Sequence, residues 1–365
     1  MKIYYVANIR FPTGKAHGIQ VARMCDALVA QGADVTLIVP NRGIYTDPVT
    51  FYGLEHTFFV QRIWGPNIFP KTRLGFLFST FLFTLSVALY LLTHRAYDVT
   101  YSVDIDHISF LGVLFGRKPR VFEMHAPRKR TLLNLLWFGH IEGIMAINDA
   151  VRSALEKNFP SLTHNTLITP NGVDLSRYEG LGKATSRDKL KLPQKERIII
   201  YTGSFQGWKG IDTIIEAAGG LPTFSCYFVG GTHDDLVEMG FRGSIPSNVH
   251  FVGKRSAIEI PLWHASADIL LVTGTKTDEY SYQHTSPMKL FEYMAAERPI
   301  IASRTPAIEQ VVSDKEVFFH EPDNPDDLKH VIEAVSAAPK LAVEKTAKAH
   351  MKAKELSWDN RAKKT

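Results

Sequence analysis

The stretch Thr285–Ser303, TSPMKLFEYMAAERPIIAS, contains a turn, a helix and the start of a strand in immediate succession. A small polar turn with a proline leads into the helix, Arg298-Pro299 ends it, and the β-branched pair Ile300-Ile301 opens the strand. Glu292 lies among apolar neighbours about two turns into this helix. The N–H groups at a helix start suit a phosphate or sugar oxygen, and a carboxylate at this depth reaches ligand hydroxyls. We therefore expect a ligand-binding helix; a buried glutamate paired with an arginine is the competing interpretation.

Strand-like segments alternate with helical ones on both sides of this stretch. The predicted strands are Ile3–Ala7, Asp34–Val39, Asp98–Ser102, Arg120–Glu123 and Gly143–Ile147, followed by Arg197–Thr202, Ser225–Val229, Val249–Val252, Asp268–Val272 and Pro299–Ala302. Such alternation is typical of an α/β protein with parallel sheets covered by helices on both faces. Because the pattern restarts near Arg197, we expect two Rossmann-like doubly wound domains. Ligands bind at the carboxyl ends of such strands, so two facing domains would hold a ligand in a central cleft.

The domain boundaries follow from length and local composition. A chain of 365 residues is expected to form two domains. We place the N-terminal, acceptor-side domain at residues 1–172 and the C-terminal, ligand-binding domain at residues 195–350. Residues 173–194 are predicted to be a linker because they include Pro, Gly, Asp and Lys, and a final helix is expected within residues 351–365.

The overall composition indicates which kinds of ligand the protein could bind and in which cellular compartment it is expected. Hydrophobic residues make up 45% and charged residues 22%, which indicates a globular protein with a sizeable core. The formal net charge of +5 suits a polyphosphate ligand or an anionic membrane surface and is too small to indicate nucleic acid. Cys25 and Cys226 are the only cysteines, so neither a disulfide framework nor a cysteine metal site is expected. With Met1-Lys2 running straight into a strand, we expect a cytoplasmic location.

The segment Leu74–Thr93 carries no charge, and Lys71, Arg73 and Arg95 flank it. Three structures fit this pattern: a core helix of the α/β domain, a helix that docks on an anionic membrane through residues 71–95, and a membrane span. A span would divide one domain between two sides of a membrane, so a largely packed helix is favoured. Partial contact with lipid at the inner face of a membrane remains an open alternative.

A second candidate ligand loop follows the strand Arg197–Thr202. Gly203 begins the loop, Lys209-Gly210 ends it, and a helix starts directly afterwards. A lysine at a helix start opposes the positive end of the helix dipole, which makes sense if an anion binds there. A solvated surface lysine is the alternative.

These motifs resemble those of the family-4 (glycosyl transferases group 1) retaining glycosyltransferases of the GT-B fold. The resemblance is most specific in Ser286–Ser303 and Gly203–Gly210, and it includes the Pro-Asn-Gly-Val-Asp turn that ends at Asp174. Trp358-Asp359-Asn360-Arg361 is similar to the family's last helix, which packs back toward the first domain. The resemblance implies a metal-independent enzyme of the hexosyltransferase type that uses a UDP- or GDP-sugar and no cofactor. It also implies a glycan or lipid-linked acceptor, in cell-surface polysaccharide or glycolipid synthesis.

The resemblance assigns roles to individual residues. Glu292 would bind the ribose, Lys209 the diphosphate, and His125, in the segment Phe122–Pro127, would lie near the reacting centre; these three are the candidate catalytic residues. The remaining candidates are the donor-binding residues Gly203, Ser204, His284, Thr285, Ser286 and Leu290, and the acceptor-side loop residues Gly14, His17 and Gly18. For His125 a structural role at a strand end is equally compatible, and for the glycine loop a plain flexible turn.

Two positions depart from the family pattern. Most members carry an arginine where this chain has Ser204, so the diphosphate site has one charge fewer unless another basic residue supplies it. Where members carry a second glutamate, which contacts the donor sugar, this chain has His284. His284 itself could make that hydrogen bond, or Asp278 or Glu279 could fold back to do so. A GT-B-shaped binding or scaffold protein without activity is therefore the alternative function. Asp104-Ile105-Asp106 has the spelling of a metal motif but follows an N-terminal strand, so we interpret it as acceptor-side or structural.

Overall fold

A computed structural model describes residues 1–68, 72–103, 109–160 and 166–365. Lys71 and the segment Asp104-Ile105-Asp106 lie outside the described residues. The chain forms two compact units. The first comprises Met1–Asn171 together with Trp358–Thr365, and the second comprises Gly172–Ser357.

Strands and helices alternate along most of the described chain. The strands are β1 (Lys2–Val6), β2 (Asp34–Pro40), β3 (Phe59–Ile63), β4 (Val99–Val103), β5 (Arg120–Met124), β6 (Gly143–Ala146), β7 (Thr166–Ile168), β8 (Arg197–Thr202), β9 (Phe224–Val229), β10 (Val249–Gly253), β11 (Ile269–Val272), β12 (Ile300–Ser303) and β13 (Phe318–His320). The α-helices are α1 (Ala16–Ala30), α2 (Pro48–Tyr52), α3 (Arg73–Thr93), α4 (Leu132–Phe138), α5 (Asp149–Asn158), α6 (Lys183–Leu190), α7 (Ile211–Gly219), α8 (His233–Glu238), α9 (Ile260–Ser266), α10 (Met288–Ala295), α11 (Pro306–Glu309), α12 (Pro325–Ala337), α13 (Pro339–Glu355) and α14 (Trp358–Lys364).

Each unit is built on one parallel sheet, which confirms the predicted fold class. The first sheet has the order β3-β2-β1-β4-β5-β6-β7 and the second the order β10-β9-β8-β11-β12-β13. The predicted strands are present, with ends within one residue of those expected. Strands β3, β7 and β13 were not predicted. All three lie at sheet edges, where a strand needs no continuous apolar run because one side or face stays exposed.

The two faces of the first sheet have different partners. Val6, Ser102, Phe122 and Ile144 occupy paired positions on adjacent strands and therefore share one face. Val6 and Phe83 of α3 belong to one apolar cluster of this face, and Phe122 joins another with Trp137 and Phe138 of α4. Helices α3 and α4 consequently cover the same face. The opposite face is covered by α1 and α14, which pack against each other.

Helix α3 packs as a core helix but keeps an apolar outer side. Phe83, Val87 and Leu91 are buried in the sheet-facing cluster. The exposed apolar side chains of this helix are Leu74, Phe76, Leu77, Phe78, Phe81, Leu85, Leu89 and Leu92. By length and composition α3 is long and apolar enough to cross a membrane, although 39% of its apolar window is buried inside the protein. One side of α3 is packed as expected, but most of the helix is not buried, so α3 is less packed than the favoured interpretation predicted.

Residues 173–194 do not form the predicted linker, because they belong to the second unit and contain α6. Arg187 of this helix is buried and donates from Nε to the carbonyl oxygen of Ser266 at 2.9 Å. Its Nη2 donates to Asp268 Oδ2 at 2.8 Å. The polar composition of this segment suggested a linker, but the hydrogen bonds of buried Arg187 hold the segment against the rest of the second unit. The units divide instead between Asn171 and Gly172.

Candidate functional site

The candidate donor loop begins where β8 ends. Gly203 has a φ of +138°, a conformation that favours glycine, and its N–H donates to the carbonyl oxygen of Val229 at 2.8 Å. A short 3₁₀ turn over Gly207–Lys209 follows, and Gly210, with a φ of +60°, precedes α7. The predicted arrangement of strand, glycine loop, lysine and helix is therefore present.

Lys209 folds back over this loop. Its Nζ donates to the carbonyl oxygen and to Oγ of Ser204, each at 3.0 Å. Burial lowers the pKa of Lys209 to about 8. Both contacts are made to one exposed residue of the loop. Ser204 thus fixes the position of the Lys209 ammonium over the loop.

Helix α10 is fixed against β8 by a buried polar network. Thr202 N–H donates to Tyr293 Oη at 2.8 Å, and Thr202 Oγ1 lies 3.1 Å from Nε2 of His264. His264 is fully buried, and its Nδ1 lies 2.9 Å from Tyr178 Oη. Burial lowers the pKa of His264 well below its ordinary value, so the ring is a neutral structural element. This network sets the position of α10 relative to the Gly203 loop.

Glu292 is the fifth residue of α10, so it lies about one turn from the helix start and not two as predicted. The difference arises because the helix begins at Met288, after Pro287, and does not include the preceding polar turn. The side chain is half-buried. Its charge acts on Lys289, where it raises the pKa against the effect of burial.

Lys289 was not among the residues predicted from the sequence, although the stretch Thr285–Ser303 contains it. Its Nζ is shielded from solvent, while the residue as a whole keeps partial exposure. The Nζ lies 3.5 Å from the centroid of the Tyr201 ring, at the end of β8. Burial, and secondarily the charge of Lys209, lower the pKa of Lys289 well below its ordinary value. The position of Lys289 in the helix does not reveal that its side chain turns toward Tyr201, because a lysine at a helix start usually extends into solvent.

The other predicted donor residues have diverse environments. His284 ends a π-helical turn over Tyr280–His284, directly before the start of α10. The backbone N–H of Thr285 donates to the carbonyl oxygen of Tyr280 at 2.9 Å, so it does not offer the free N–H group that we expected. Leu290 is fully buried in the sheet-facing core of the second unit. Its side chain therefore packs in the core and does not line the donor loop.

Asp278 and Ser286 complete this segment. Asp278 accepts from the N–H of Ser281 at 2.7 Å and so caps the π-helical turn. That role differs from the predicted replacement of a sugar-binding carboxylate. Ser286 is half-buried in the turn that precedes α10.

In the first unit, His125 contacts a buried glutamate, Glu123, that was not predicted as a site residue. Glu123 is completely buried, and His125 Nε2 lies 2.7 Å from its Oε1. The same oxygen accepts from Gln20 Nε2 at 2.5 Å and from Arg361 Nη2 at 2.6 Å, while Tyr101 Oη donates to Oε2. Because a carboxylate only accepts, Nε2 of His125 is the nitrogen that donates to Glu123.

The charge of Glu123 is maintained by these partners. Burial raises the pKa of Glu123, but Arg361, His125 and Tyr101 outweigh it and hold the pKa below its ordinary value. Arg361 lies on α14 and is itself buried. His125 is therefore oriented by an ion pair whose two members come from distant parts of the sequence.

The predicted acceptor-side loop is shorter than expected, because α1 begins at Ala16 and includes His17 and Gly18. A Cβ at Gly18 would lie 2.4 Å from Thr13 Cγ2 and 2.8 Å from Tyr52 Oη, so this glycine serves internal packing. A Cβ at Gly14, in the exposed part of the loop, would have no neighbouring atom within 4 Å. Burial lowers the pKa of His17, and Lys15 and His125 lower it further. His17 and His125 are thus within electrostatic range of each other.

No group of three or more His, Cys, Asp or Glu side chains that could hold a metal ion occurs in the part of the chain that the structure describes. The Asp104-Ile105-Asp106 sequence lies outside that part. Both cysteines, Cys25 and Cys226, are free and buried.

Comparison with known proteins assigns the second unit to a family. Residues 182–354 match the family model described as glycosyl transferases group 1. The second unit is a glycosyl transferases group 1 domain. Curated relatives named D-inositol 3-phosphate glycosyltransferase, from Mycobacterium bovis and Mycobacterium tuberculosis, are 24% identical over 229 residues. The match covers 60% of this chain and 46% of theirs, so this chain spans about half the length of the curated relatives it matches.

The likeness to solved structures covers the whole chain and not only the group 1 glycosyl transferase domain. Sucrose-phosphate synthase from Thermosynechococcus elongatus has a TM-score of 0.78 at 18% identity, covering 100% of this chain and 96% of that one. Anabaena HepE in complex with UDP-glucose has a TM-score of 0.74 at 16% identity, covering 100% and 98%. At these identities the likeness shows the fold, which is GT-B.

Proposed function

We propose that this chain is a retaining, metal-independent glycosyltransferase of the hexosyltransferase type. It would move a sugar from a UDP- or GDP-sugar to a glycan or lipid-linked acceptor. One observation carries the proposal: Lys209 Nζ donates to Ser204 and Lys289 Nζ lies against Gly203, so two lysine side chains meet at one glycine loop, and the helix that carries Lys289 also carries Glu292. The glycosyltransferase names of the curated relatives and the UDP-glucose bound to HepE support a nucleotide-sugar donor.

In this proposal each charged group has a distinct task. Glu292 accepts hydrogen bonds from the ribose hydroxyls, and Lys209 stabilises the negative charge that develops on the leaving diphosphate. Lysine side chains and helix N-termini then supply the positive charge that a metal ion supplies elsewhere. In the first unit, His125 and His17 are proposed to contact the transferred sugar or the acceptor, with Glu123 fixing the orientation of the His125 ring. No enzyme carboxylate is proposed as a nucleophile, which distinguishes the mechanism from that of retaining glycosidases.

A thermal-shift screen against UDP, GDP and their sugars tests the donor site. A ligand that binds only the folded state at about a hundred times its Kd adds about 2.7 kcal/mol of stability, so the melting temperature rises. Glu292→Ala and Lys209→Ala should each remove most of this rise. The exposed residues Glu333 and Lys340 provide matched controls, and Glu333→Ala and Lys340→Ala should retain it. Equal shifts in all four variants would contradict the assignment.

An assay of sugar transfer and donor hydrolysis with the same nucleotide sugars separates the enzyme from the alternative. Ser204 and His284, the two departures from the pattern of the family that this chain resembles, are the observations that favour a binding or scaffold protein without activity. Donor binding without transfer or donor hydrolysis at saturating nucleotide sugar would support that alternative.

The outer side of the first unit favours an acceptor at a membrane surface. Helices α3 and α4 cover the same sheet face, and both expose apolar side chains; those of α4 are Leu132, Leu133, Leu135 and Leu136. Exposed basic residues flank the two helices, namely Arg73, Arg95, Lys129 and Arg130. Apolar side chains with a basic border match the acyl boundary and headgroups of an anionic bilayer. We therefore include peripheral binding to an anionic membrane in the proposal, and co-sedimentation with vesicles tests it.

A cytoplasmic location, at the inner face of the membrane, completes the proposal. Buried free thiols at Cys25 and Cys226 are compatible with a reducing compartment. An acceptor for cell-surface polysaccharide or glycolipid synthesis would be presented at that face.

A further inference from the structure

The ammonium group of Lys289 is buried next to another cation. Among the described residues, its Nζ has no hydrogen-bond partner. The nearby charge of Lys209 disfavours the protonated form, and only Glu292 opposes that effect among the named charges. Removing an ammonium from water and placing it beside a like charge costs free energy. Such an arrangement is explained when an anion binds between the cations.

A glycine packs directly against this ammonium. A Cβ at Gly203 would lie 3.1 Å from Lys289 Nζ and 3.4 Å from Tyr201 Oη. Tyr201 Oη is also buried and has no hydrogen-bond partner among the residues described. Lys289 Nζ and Tyr201 Oη, which can both donate hydrogen bonds, thus lie beside the position that the Cβ of any other residue at 203 would occupy. The backbone at Gly203 requires glycine for its φ of +138° as well.

The loop connects this position to Lys209. Lys209 Nζ reaches Ser204, the residue directly after Gly203. Lysine side chains from two different elements, the start of α10 and the turn before α7, therefore approach the same glycine loop. A ligand with two linked anionic groups matches two such cations better than a single phosphate does.

We propose that Lys289 and Lys209 together bind the diphosphate of the donor, with Lys289 contacting a phosphate oxygen in front of Gly203. The inference rests on the proposed function, since it names a further residue of the same donor site. It also explains which basic residue supplies the second positive charge of the site, since Ser204 is uncharged.

Calorimetric titration of UDP and GDP, with uridine and guanosine as uncharged probes, tests this assignment. Lys289→Met should weaken diphosphate binding about tenfold or more, the loss expected for a charge-assisted hydrogen bond. Binding of the nucleosides should not change, because the base and ribose contacts are intact. Lys340→Met is the matched control: Lys340 is likewise the lysine at the second position of a helix, but it is exposed, and its variant should bind as the wild type does.

Two further measurements separate ligand binding from a role in folding. The ligand-free Lys289→Met protein should melt at the wild-type temperature or higher, because a buried charge has been removed. Adding Ser204→Arg to Lys289→Met should restore part of the diphosphate affinity by returning a cation to the loop. A lower melting temperature with unchanged diphosphate affinity would mean that Lys289 serves only to pack on Tyr201, and would overturn the inference.

The possible failures are distinguishable. If Lys209→Met loses diphosphate binding and Lys289→Met keeps it, the inference about Lys289 is wrong and the proposed function stands. If the wild-type protein binds neither UDP nor GDP, the proposed function fails and the inference fails with it.

Discussion

Arg361 donates from Nη2 to Oε1 of Glu123 at 2.6 Å, although 238 positions separate the two residues in the sequence. Both side chains are buried, with 3% and 0% of their surface exposed. The same carboxylate oxygen lies 2.7 Å from Nε2 of His125. A residue of α14 therefore determines the electrostatic environment of the candidate catalytic histidine.

Replacing Arg361 with methionine should destabilise the first unit by about 3–5 kcal/mol, because it leaves the Glu123 carboxylate buried without its counter-ion. Native-state hydrogen exchange of the β5 amides measures this loss. Lys363→Met, an exposed change on the same helix, should have little effect. Adding Glu123→Gln to Arg361→Met should recover part of the stability, and a loss below about 1 kcal/mol would contradict a buried ion pair.

The same ion pair predicts a dependence on pH. The folded state holds the pKa of Glu123 below its ordinary value. The contribution of Glu123 to the free energy of unfolding is therefore fully present above its unfolded pKa, and it is lost as the pH falls toward its folded pKa. The stability difference between wild type and Arg361→Met should therefore shrink as the pH falls below about 4. A difference that stays constant down to about pH 3 would show that packing of the arginine, and not its charge, stabilises the unit.

Donor binding should weaken in mildly alkaline solution. Burial lowers the pKa of Lys209 to about 8, so its positive charge is progressively lost above that pH. Affinity for nucleoside diphosphate, measured by calorimetry, should fall about tenfold between about pH 7 and about pH 9.5. Lys209→Arg keeps its charge throughout this range and should bind with a flatter profile. A wild-type affinity that is independent of pH would argue against a direct contact with the ligand.

The free protein should show the opposite trend in stability. Between a folded pKa of about 8 and the higher unfolded value, the folded state binds fewer protons at Lys209. Stability relative to Lys209→Met should therefore rise with pH across this window. Urea titrations without ligand measure the change, and a fall with rising pH would indicate that Lys209 gains a partner on folding.

The two glycines near the start of α1 should differ in their tolerance of a methyl group. Gly18→Ala places Cβ 2.4 Å from Thr13 Cγ2 and should cost about 1–3 kcal/mol through overpacking. Gly14→Ala meets no atom within 4 Å and should be neutral or slightly stabilising. Thermal unfolding compares the two. If both variants melted alike, the close packing of Gly18 against Thr13 and Tyr52 would be wrong.

Charges on the outer side of α3 should weaken vesicle binding without unfolding the protein. Phe78 is 50% exposed and Phe81 is 48% exposed, so Phe78→Glu and Phe81→Glu remove apolar surface outside the core. Sedimentation with vesicles that contain anionic lipid should fall for the double variant. Val343→Glu changes an equally apolar, exposed residue of α13 and serves as the control. Unchanged partitioning of the double variant would exclude the membrane contact.

The central strands and the glycine loop after β8 could be predicted from the sequence because both depend on local patterns. Strands β8 and β11 are continuous apolar runs buried on both faces, and Gly203 and Lys209 occupy a fixed spacing at a strand-to-helix turn. The edge strands β3 and β13 lack such runs and were not predicted.

Residues whose roles depend on distant partners were not recognised from the sequence. Glu123 belongs to the segment Phe122–Pro127, but nothing local shows that its carboxylate meets Arg361. Arg187, within the predicted linker, is buried against Asp268, 81 positions later in the sequence. Lys289 resembles any other lysine of an amphipathic helix, because sequence spacing does not reveal where a long side chain ends.

The separation of Glu123 from Arg361 also bears on synthesis at the ribosome. The strands of the first unit emerge early, whereas the guanidinium that neutralises its buried carboxylate is translated only after the whole of α13. Until then the Glu123 carboxylate lacks its arginine counter-ion, so we expect the last helix to complete the folding of this unit. A stalled or shortened chain therefore exposes an incomplete first domain to chaperones and proteases, whereas the second unit needs none of those late residues to close its own sheet.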